Sequence, residues 1–329
     1  MRRILLVGAG WLLAAAAAFA QFPMPTMGLP GRDWAIQFET SGLQVDRNEI
    51  YFPPTSPDSP ARGLSTRGAA GLNLTAFLYP ARGLDAKACR EQNFEKLRTG
   101  DFELGDIRRY EADGKAAVEY TLLAVGGRKM GNAAMRNLWV HVAHDDTCLD
   151  LHLSKAGYSQ SDAAAFRRLF ESVAVVATKP DVQDLVQTAS ALYLEQRYQP
   201  AARFYQQALN LEREHPTLPR TMFIVVVDNL GMSYGLSGDL AHAQEIFEYG
   251  VAREPEYPMF HYNLACTLAE NGDLGKALQS LRLAFKYRAN QLPGEEGMPD
   301  PRHDDSFRRY VGDPQFERTV KELMGEQKQ

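Results

Sequence analysis

Three cysteines among 329 residues, with no Cys-x-x-Cys pair, leave no thiolate set for a structural zinc site. Basic charge is short as well. Lysine and arginine number 36 against 41 aspartates and glutamates, for a net charge of −5, and no basic stripe is available to neutralise phosphates. That excludes the usual surface of a nucleic-acid binder. No polybasic run after the first residues marks attachment to anionic lipid. The segment Gly126-Gly127-Arg128-Lys129-Met130-Gly131-Asn132 lacks the lysine–serine/threonine ending of a phosphate loop and reads as an exposed hairpin loop. No nucleophile-elbow glycine pattern surrounds Ser154.

Long apolar runs are missing too, with one exception. Ile4–Ala20 is apolar and alanine-rich, preceded by Arg2-Arg3 and closed by Ala18-Phe19-Ala20, a small-x-small cleavage site before Gln21. It is shorter than the roughly 20 residues that span a bilayer comfortably. Residues 1–20 are therefore expected to be a cleavable secretory signal, giving a periplasmic or secreted protein; an uncleaved anchor is the alternative. No cysteine follows the cleavage site to carry a lipid. Residues 21–32 form a Pro/Gly-rich leader.

From residue 33 to 178, short β-type runs alternate with loops: Trp34–Phe38, Gly71–Tyr79, Ala116–Val125, Asn137–Ala143 and Cys148–Leu153. Two helical stretches, Asp85–Arg98 and Asp162–Ser172, interrupt them, the second capped by Ser161 or Asp162. Tyr51–Pro60 carries four prolines and is expected to be a loop. The pattern predicts an α+β domain on a mainly antiparallel sheet. Its order of elements resembles the PsbP/Mog1-type sandwiches, a resemblance that implies partner binding.

Within this domain, Asn137–Ser154 reads as a hairpin that sets Ala143 opposite Cys148, His141 opposite Asp150 and Trp139 opposite His152. Leu138, Val140, Val142, Leu149, Leu151 and Leu153 share the other, apolar face. His141, Asp150, His152 and Ser154 are the residue types of a hydrolase site. Side chains lying flat on neighbouring strands form no cleft, however, and a local hydrogen bond under a covering helix is the plainer expectation. A small-ligand or lipid site in this domain is a further alternative.

The last third repeats itself. Ile224–Tyr257 and Pro258–Gln291 share a pattern at a 34-residue spacing: Asn229-Leu230-Gly231 with Tyr234, Gly238-Asp239-Leu240 and Ala243, answered by Asn263-Leu264-Ala265 with Leu268, Gly272-Asp273-Leu274 and Ala277. Apolar residues fall at helical spacing on both sides of each Gly-Asp, so each unit is a helical hairpin. An earlier copy, Val182–Pro216, carries Ala189, Leu192, Tyr198, Ala201, Tyr205 and Ala208 but lacks the turn glycine, and Glu212–Pro219 interrupts the register. Phe316, Val320 and Leu323 suit a helix closing the open end. The pattern resembles the tetratricopeptide repeat (TPR), over residues 181–291, and the segment Asp304–Leu323 is similar to the tail that follows bacterial repeats ending in Asn263-Leu264-Ala265-Cys266. Residues 292–329 make the capping helix and tail.

The resemblance implies an all-α solenoid of three repeats that binds a protein or extended peptide in its concave groove and catalyses nothing, without cofactor or metal. By the same resemblance Asn229 and Asn263 hydrogen-bond a peptide main chain, with Gln187 in the first copy, while Tyr193, Met232, Met259 and Tyr262 supply contacts and Asp228 a charge. Capping between helices is the plainer role of the two asparagines. Val225 and Met259 stand where the lysines of a carboxylate clamp are expected, which argues against recognition of an acidic C-terminal tail. In an oxidising compartment Cys89 and Cys148 can pair, with Cys266 packed inside a repeat helix. A partner in the cell envelope is expected; oligomeric state is not legible.

Overall fold

The computed structural model describes residues 24–40, 42–54, 59–67, 71–295 and 297–325; the expected signal segment over residues 1–20 lies outside them. Eleven strands come first: β1 Thr26–Met27, β2 Trp34–Gln37, β3 Gln44–Tyr51, β4 Ala61–Arg67, β5 Leu72–Pro80, β6 Phe102–Ala112, β7 Lys115–Val125, β8 Arg128–Lys129, β9 Met135–His144, β10 Thr147–Ala156 and β11 Ala174–Ala177. Helix α1, Ala86–Arg98, falls between β5 and β6, and α2, Ala163–Ser172, between β10 and β11. A mainly antiparallel sheet with helices is the α+β arrangement expected.

The large sheet runs β3-β4-β5-β10-β9-β7-β6, with β8 beside β7. Its apolar face (Leu64, Leu74, Leu78, Leu138, Val140, Leu149, Leu151 and Leu153) packs against Trp34, Ile36 and Phe38 of the small sheet β1-β2-β11 and against Phe166 and Leu169 of α2. Helix α1 lies over the opposite face, where Phe94 meets Val118 and Tyr120. A Cys89–Cys148 disulfide joins α1 to β10.

The central hairpin has the register read from its alternation: Ala143 opposite Cys148, His141 opposite Asp150, Trp139 opposite His152. Its turn is Asp145-Asp146, both left-handed at φ 49° and 56°, a geometry that matches the twist of the flanking strands. The turn also ties the layers together. Arg32 Nη1 donates to Asp145 Oδ2 at 2.6 Å, and Gly83 N donates to Asp146 Oδ1 at 2.7 Å.

Strands β3, β4 and β6 carry no alternation of the kind that marks the others. β3 and β6 are the sheet's edges, largely exposed and studded with charge, so no apolar period was imposed on them. Of the two expected caps of the second helix, Asp162 holds the N-cap position of α2, and its side chain pairs with Ser159 in a reciprocal cap around the preceding turn.

The helical part is α3 Val182–Leu194, α4 Tyr198–Glu214, α5 Arg220–Leu236, α6 Leu240–Arg253, α7 Pro258–Glu270, α8 Leu274–Lys286 and α9 Pro314–Leu323. The repeated Gly-Asp works as two adjacent signals. Gly238 and Gly272 take φ 83° and 87°, ending one helix, and Asp239 and Asp273 accept from the amides of His242 and Lys276, starting the next. Where the first copy lacks the glycine, Gln196 takes φ 59° itself, and Arg197 follows without a side-chain cap. The small residues sit at crossings. A Cβ on Gly231 would lie 2.5 Å from the Phe247 ring, and one on Gly250 2.8 Å from the Phe260 ring. The interrupted register is a longer α4 and a loop gathered by buried Glu212, which accepts from the amides of Thr217 and Leu218 at 2.7 and 2.9 Å.

Sheet and helices touch through Arg62, whose guanidinium lies 2.6 Å from the Asp184 carboxylate of α3, and through Arg197 stacked 4.9 Å over the Phe52 ring.

Candidate functional site

Equivalent positions of the three repeats identify a common face. Gln187, Asn229 and Asn263 correspond; so do Ser190, Met232 and Cys266, then Tyr193, Gly235 and Ala269, then Leu194, Leu236 and Glu270. On α7 this face is occupied by the chain itself. Tyr262 Oη donates to Asp304 Oδ2 at 3.0 Å, and the Cys266 thiol points to the same oxygen at 3.6 Å. Ser306 Oγ donates to Glu270 at 2.9 Å, and Tyr310 Oη to the Ala269 carbonyl at 3.2 Å. Phe307 is fully buried between the Tyr262 and Phe316 rings. Gln291 reaches Met259, and Leu292 and Met298 pack on the helical core.

The tail therefore does more than cap. Helix α9 closes the end of the stack through buried Phe316 and Val320, with Arg282 of α8 donating to Glu322 and Thr319. The preceding described residues, 291–295 and 297–310, lie along the inner face of the third repeat. The clue in the sequence was Phe307 and Asp304 standing in a segment otherwise rich in turn formers.

Asn229 and Asn263 are brought into the stack. Asn263 Nδ2 donates to Asp228 Oδ1 at 2.7 Å, joining α7 to α5, and Asn229 Nδ2 donates to Tyr205 Oη at 2.9 Å, joining α5 to α4. Tyr205 Oη also meets Ser190 Oγ at 2.8 Å. Tyr262 and Asn263 are buried, Tyr193, Asp228, Met232 and Met259 partly so, and Gln187 is exposed. Burial pushes the Asp228 carboxyl up to about 6, against the bond from Asn263 that favours its charged form. Burial also raises the Cys266 thiol well above its ordinary value, which keeps it protonated and unreactive.

The first two repeats leave the same face open. Leu194 is 81% exposed and Leu236 51%, at positions equivalent to Glu270, which in the third repeat receives Ser306. The two leucines thus present apolar side chains to solvent at matching positions of neighbouring repeats.

The hairpin of the sheet gives a different picture. His141 is fully buried under α1, its Nε2 3.3 Å from Asn93 Nδ2 and 3.7 Å from Asp150 Oδ1. His152 Nε2 pairs with Asn137 Oδ1 at 2.9 Å. Among the described residues no hydrogen bond links Ser154 to either histidine. Burial lowers His141 to about 3 and His152 to about 4, and raises Asp150 to about 6. These are the shifts of groups withdrawn from water in neutral form.

Helix pairs whose small residues let them cross closely, with a Gly-Asp punctuation every 34 residues, define a solenoid of TPR type. Residues 260–291 match the family model for the tetratricopeptide repeat. The chain matches no curated protein. Among solved structures it is similar to MamA, from residue 41 to the end, of Desulfovibrio magneticus RS-1 (18% identity, 45% of this chain and 78% of that one, TM-score 0.34). It is also similar to the Sgt2 TPR domain of Aspergillus fumigatus (18%, 46% and 87%, 0.32). A third is the Yersinia enterocolitica type III secretion chaperone SycD in complex with a peptide of the translocator YopD (17%, 45% and 95%, 0.31). Likeness at this level says nothing about what this chain binds.

Proposed function

We propose that this protein is an exported, periplasmic or secreted scaffold that holds an extended segment of another envelope protein on the inner face of its first two repeats, and that it catalyses no reaction. One observation carries the reading: the inner face of the third repeat already holds an irregular segment in cis, and the equivalent face of the first two repeats exposes Leu194 and Leu236 beside Tyr193, Met232 and Gln187. The tail shows what such a face accepts, an aromatic side chain flanked by a carboxylate that receives side-chain donors. The signal-like first 20 residues support the location, and the withdrawn, neutral histidines of the sheet support the absence of catalysis.

Because Asn229 and Asn263 hold neighbouring helices together, they are poor probes of binding. The informative variant is Leu194→Ser with Leu236→Ser, which alters exposed side chains only. Expressed from its own leader in a suitable host and crosslinked in place, the parent chain should retain a small set of proteins that the double variant loses at unchanged thermal midpoint. Recovery of the same set by both chains would remove the groove reading.

A further inference from the structure

A recess lies between α1 and the β3–β5 side of the large sheet, with a volume of about 570 Å³. That falls within the range of small-molecule sites. Two aromatic rings form its wall. Tyr51 and Phe77 are 40% and 38% exposed, and between their strands stands Gly63, where a Cβ would lie 3.4 Å from the Phe77 ring and 3.5 Å from that of Tyr51. Both rings lie against the bare backbone of Gly63 and leave aromatic surface open to solvent.

At the other end of the recess stand Tyr79, Gln92, Asn93, Lys96 and Asp150. Asn93 Nδ2 donates to Tyr79 Oη at 2.8 Å and to Asp150 Oδ2 at 3.0 Å, while Asn93 Oδ1 accepts from Lys96 at 3.3 Å. Tyr79 accepts through its oxygen and so keeps its own hydrogen for another partner. Asp150 Oδ1 is sealed from solvent and faces His141 Nε2 at 3.7 Å, whereas the side chain as a whole is 18% exposed and Oδ2 keeps acceptor capacity beside its bond from Asn93. One donor and one acceptor thus converge on a single amide nitrogen, close enough to be reached by two adjacent hydroxyl groups of one ligand. Of the charged lining residues, Lys96 is engaged with Asn93, and Arg82 and Lys96 stand against the single carboxylate of Asp150.

From this arrangement we infer that the recess is a carbohydrate site, in which a neutral pyranose ring lies on Tyr51 and Phe77 and presents adjacent hydroxyls to Tyr79 and Asp150. A proline-rich segment would suit the aromatic wall but brings no donor for the carboxylate. The site goes beyond the scaffold reading and does not depend on it.

Calorimetric titration of the whole protein with cellotetraose and, separately, with its N-acetylated counterpart chitotetraose tests the assignment. At least one should bind with a Kd of about 0.1–1 mM. Phe77→Ala and Tyr79→Phe should each weaken that binding at least about fivefold, a loss on the order of 1 kcal/mol, at unchanged thermal midpoint. Tyr79→Phe removes a single hydroxyl and serves if Phe77→Ala fails to fold. The Leu194→Ser and Leu236→Ser variant should bind sugar as the parent does, which keeps this result separate from the groove. No binding of either sugar up to about 10 mM, binding indifferent to both recess variants, or capture of a proline-rich peptide alone through Phe77 and Tyr79 would overturn it.

Discussion

The sheet-rich part and the helical part bury their cores through opposite patterns of contact. In the sheet, β5 pairs with β10 across more than sixty residues of chain, and the intervening α1 is tied back by a disulfide whose cysteines are 59 residues apart. In the stack, each helix packs chiefly on its neighbours in sequence, and the repeated punctuation of glycine and aspartate sets each hairpin locally. A core assembled from distant strands is slow to find and gains from a covalent tie. A core assembled from neighbours needs no tie, but needs its ends closed. The difference teaches where each part is vulnerable: the sheet at its long-range clasp, the stack at its terminus.

Three changes would break or sharpen that contrast. The largest is Cys89→Ala with Cys148→Ala, for which the loop-entropy model gives a loss of about 4 kcal/mol. Differential scanning calorimetry should show the unfolding of the sheet moved down while that of the helices stays in place; a single transition shifted as a whole would show that contacts such as Arg62–Asp184 couple the two parts. Next is Phe307→Ala, which empties a fully buried site and should cost about 3 kcal/mol. Here the helical transition should move and the sheet's should not, and the Cys266 thiol should become accessible to a thiol reagent in the native state.

The smallest concerns pH. Asp150 in the folded chain holds its proton up to about 6, above its ordinary 3.8, so its contribution to stability is complete below pH 3.8 and is lost as pH rises through 6. Asp150→Asn should therefore gain on the parent between pH 4 and pH 6 and keep a lead on the order of 3 kcal/mol above that. His141 and His152 act in the reverse sense, their folded values being depressed, so stability is lost as pH falls below 6.5 toward about 3 and 4. Urea titrations of parent and variant across this range would separate the two slopes; parallel curves would mean that Asp150 is ionised throughout in the folded state.

Much of the architecture was legible because its signals are local. The register of the central hairpin followed from the alternation of Leu138, Val140 and Val142 against Leu149, Leu151 and Leu153, and the helical hairpins followed from Gly238-Asp239 and Gly272-Asp273. The edge strands were hidden because solvent on their free side removes the need for an apolar period, as in Gln44–Tyr51. At the inner face, the residue types and their common side were readable from the repeat. What was not readable is that residues 291–295 and 297–310 would lie on it in the third repeat, since Tyr262 and Asp304 meet only through tertiary packing. The aromatic recess was invisible for the same reason: Tyr51, Phe77 and Asn93 belong to three elements, and Gly63, against which the rings lie, is one glycine among 26.

The same tail bears on the order in which the molecule can be completed. Residues 291–323 follow every helix they cover, so a chain emerging N-terminus first presents the inner surface of α7 bare until its closing strap has been made. Until then the Tyr262, Cys266 and Ala269 side of α7 lacks the contacts that Asp304 and Tyr310 later make with it.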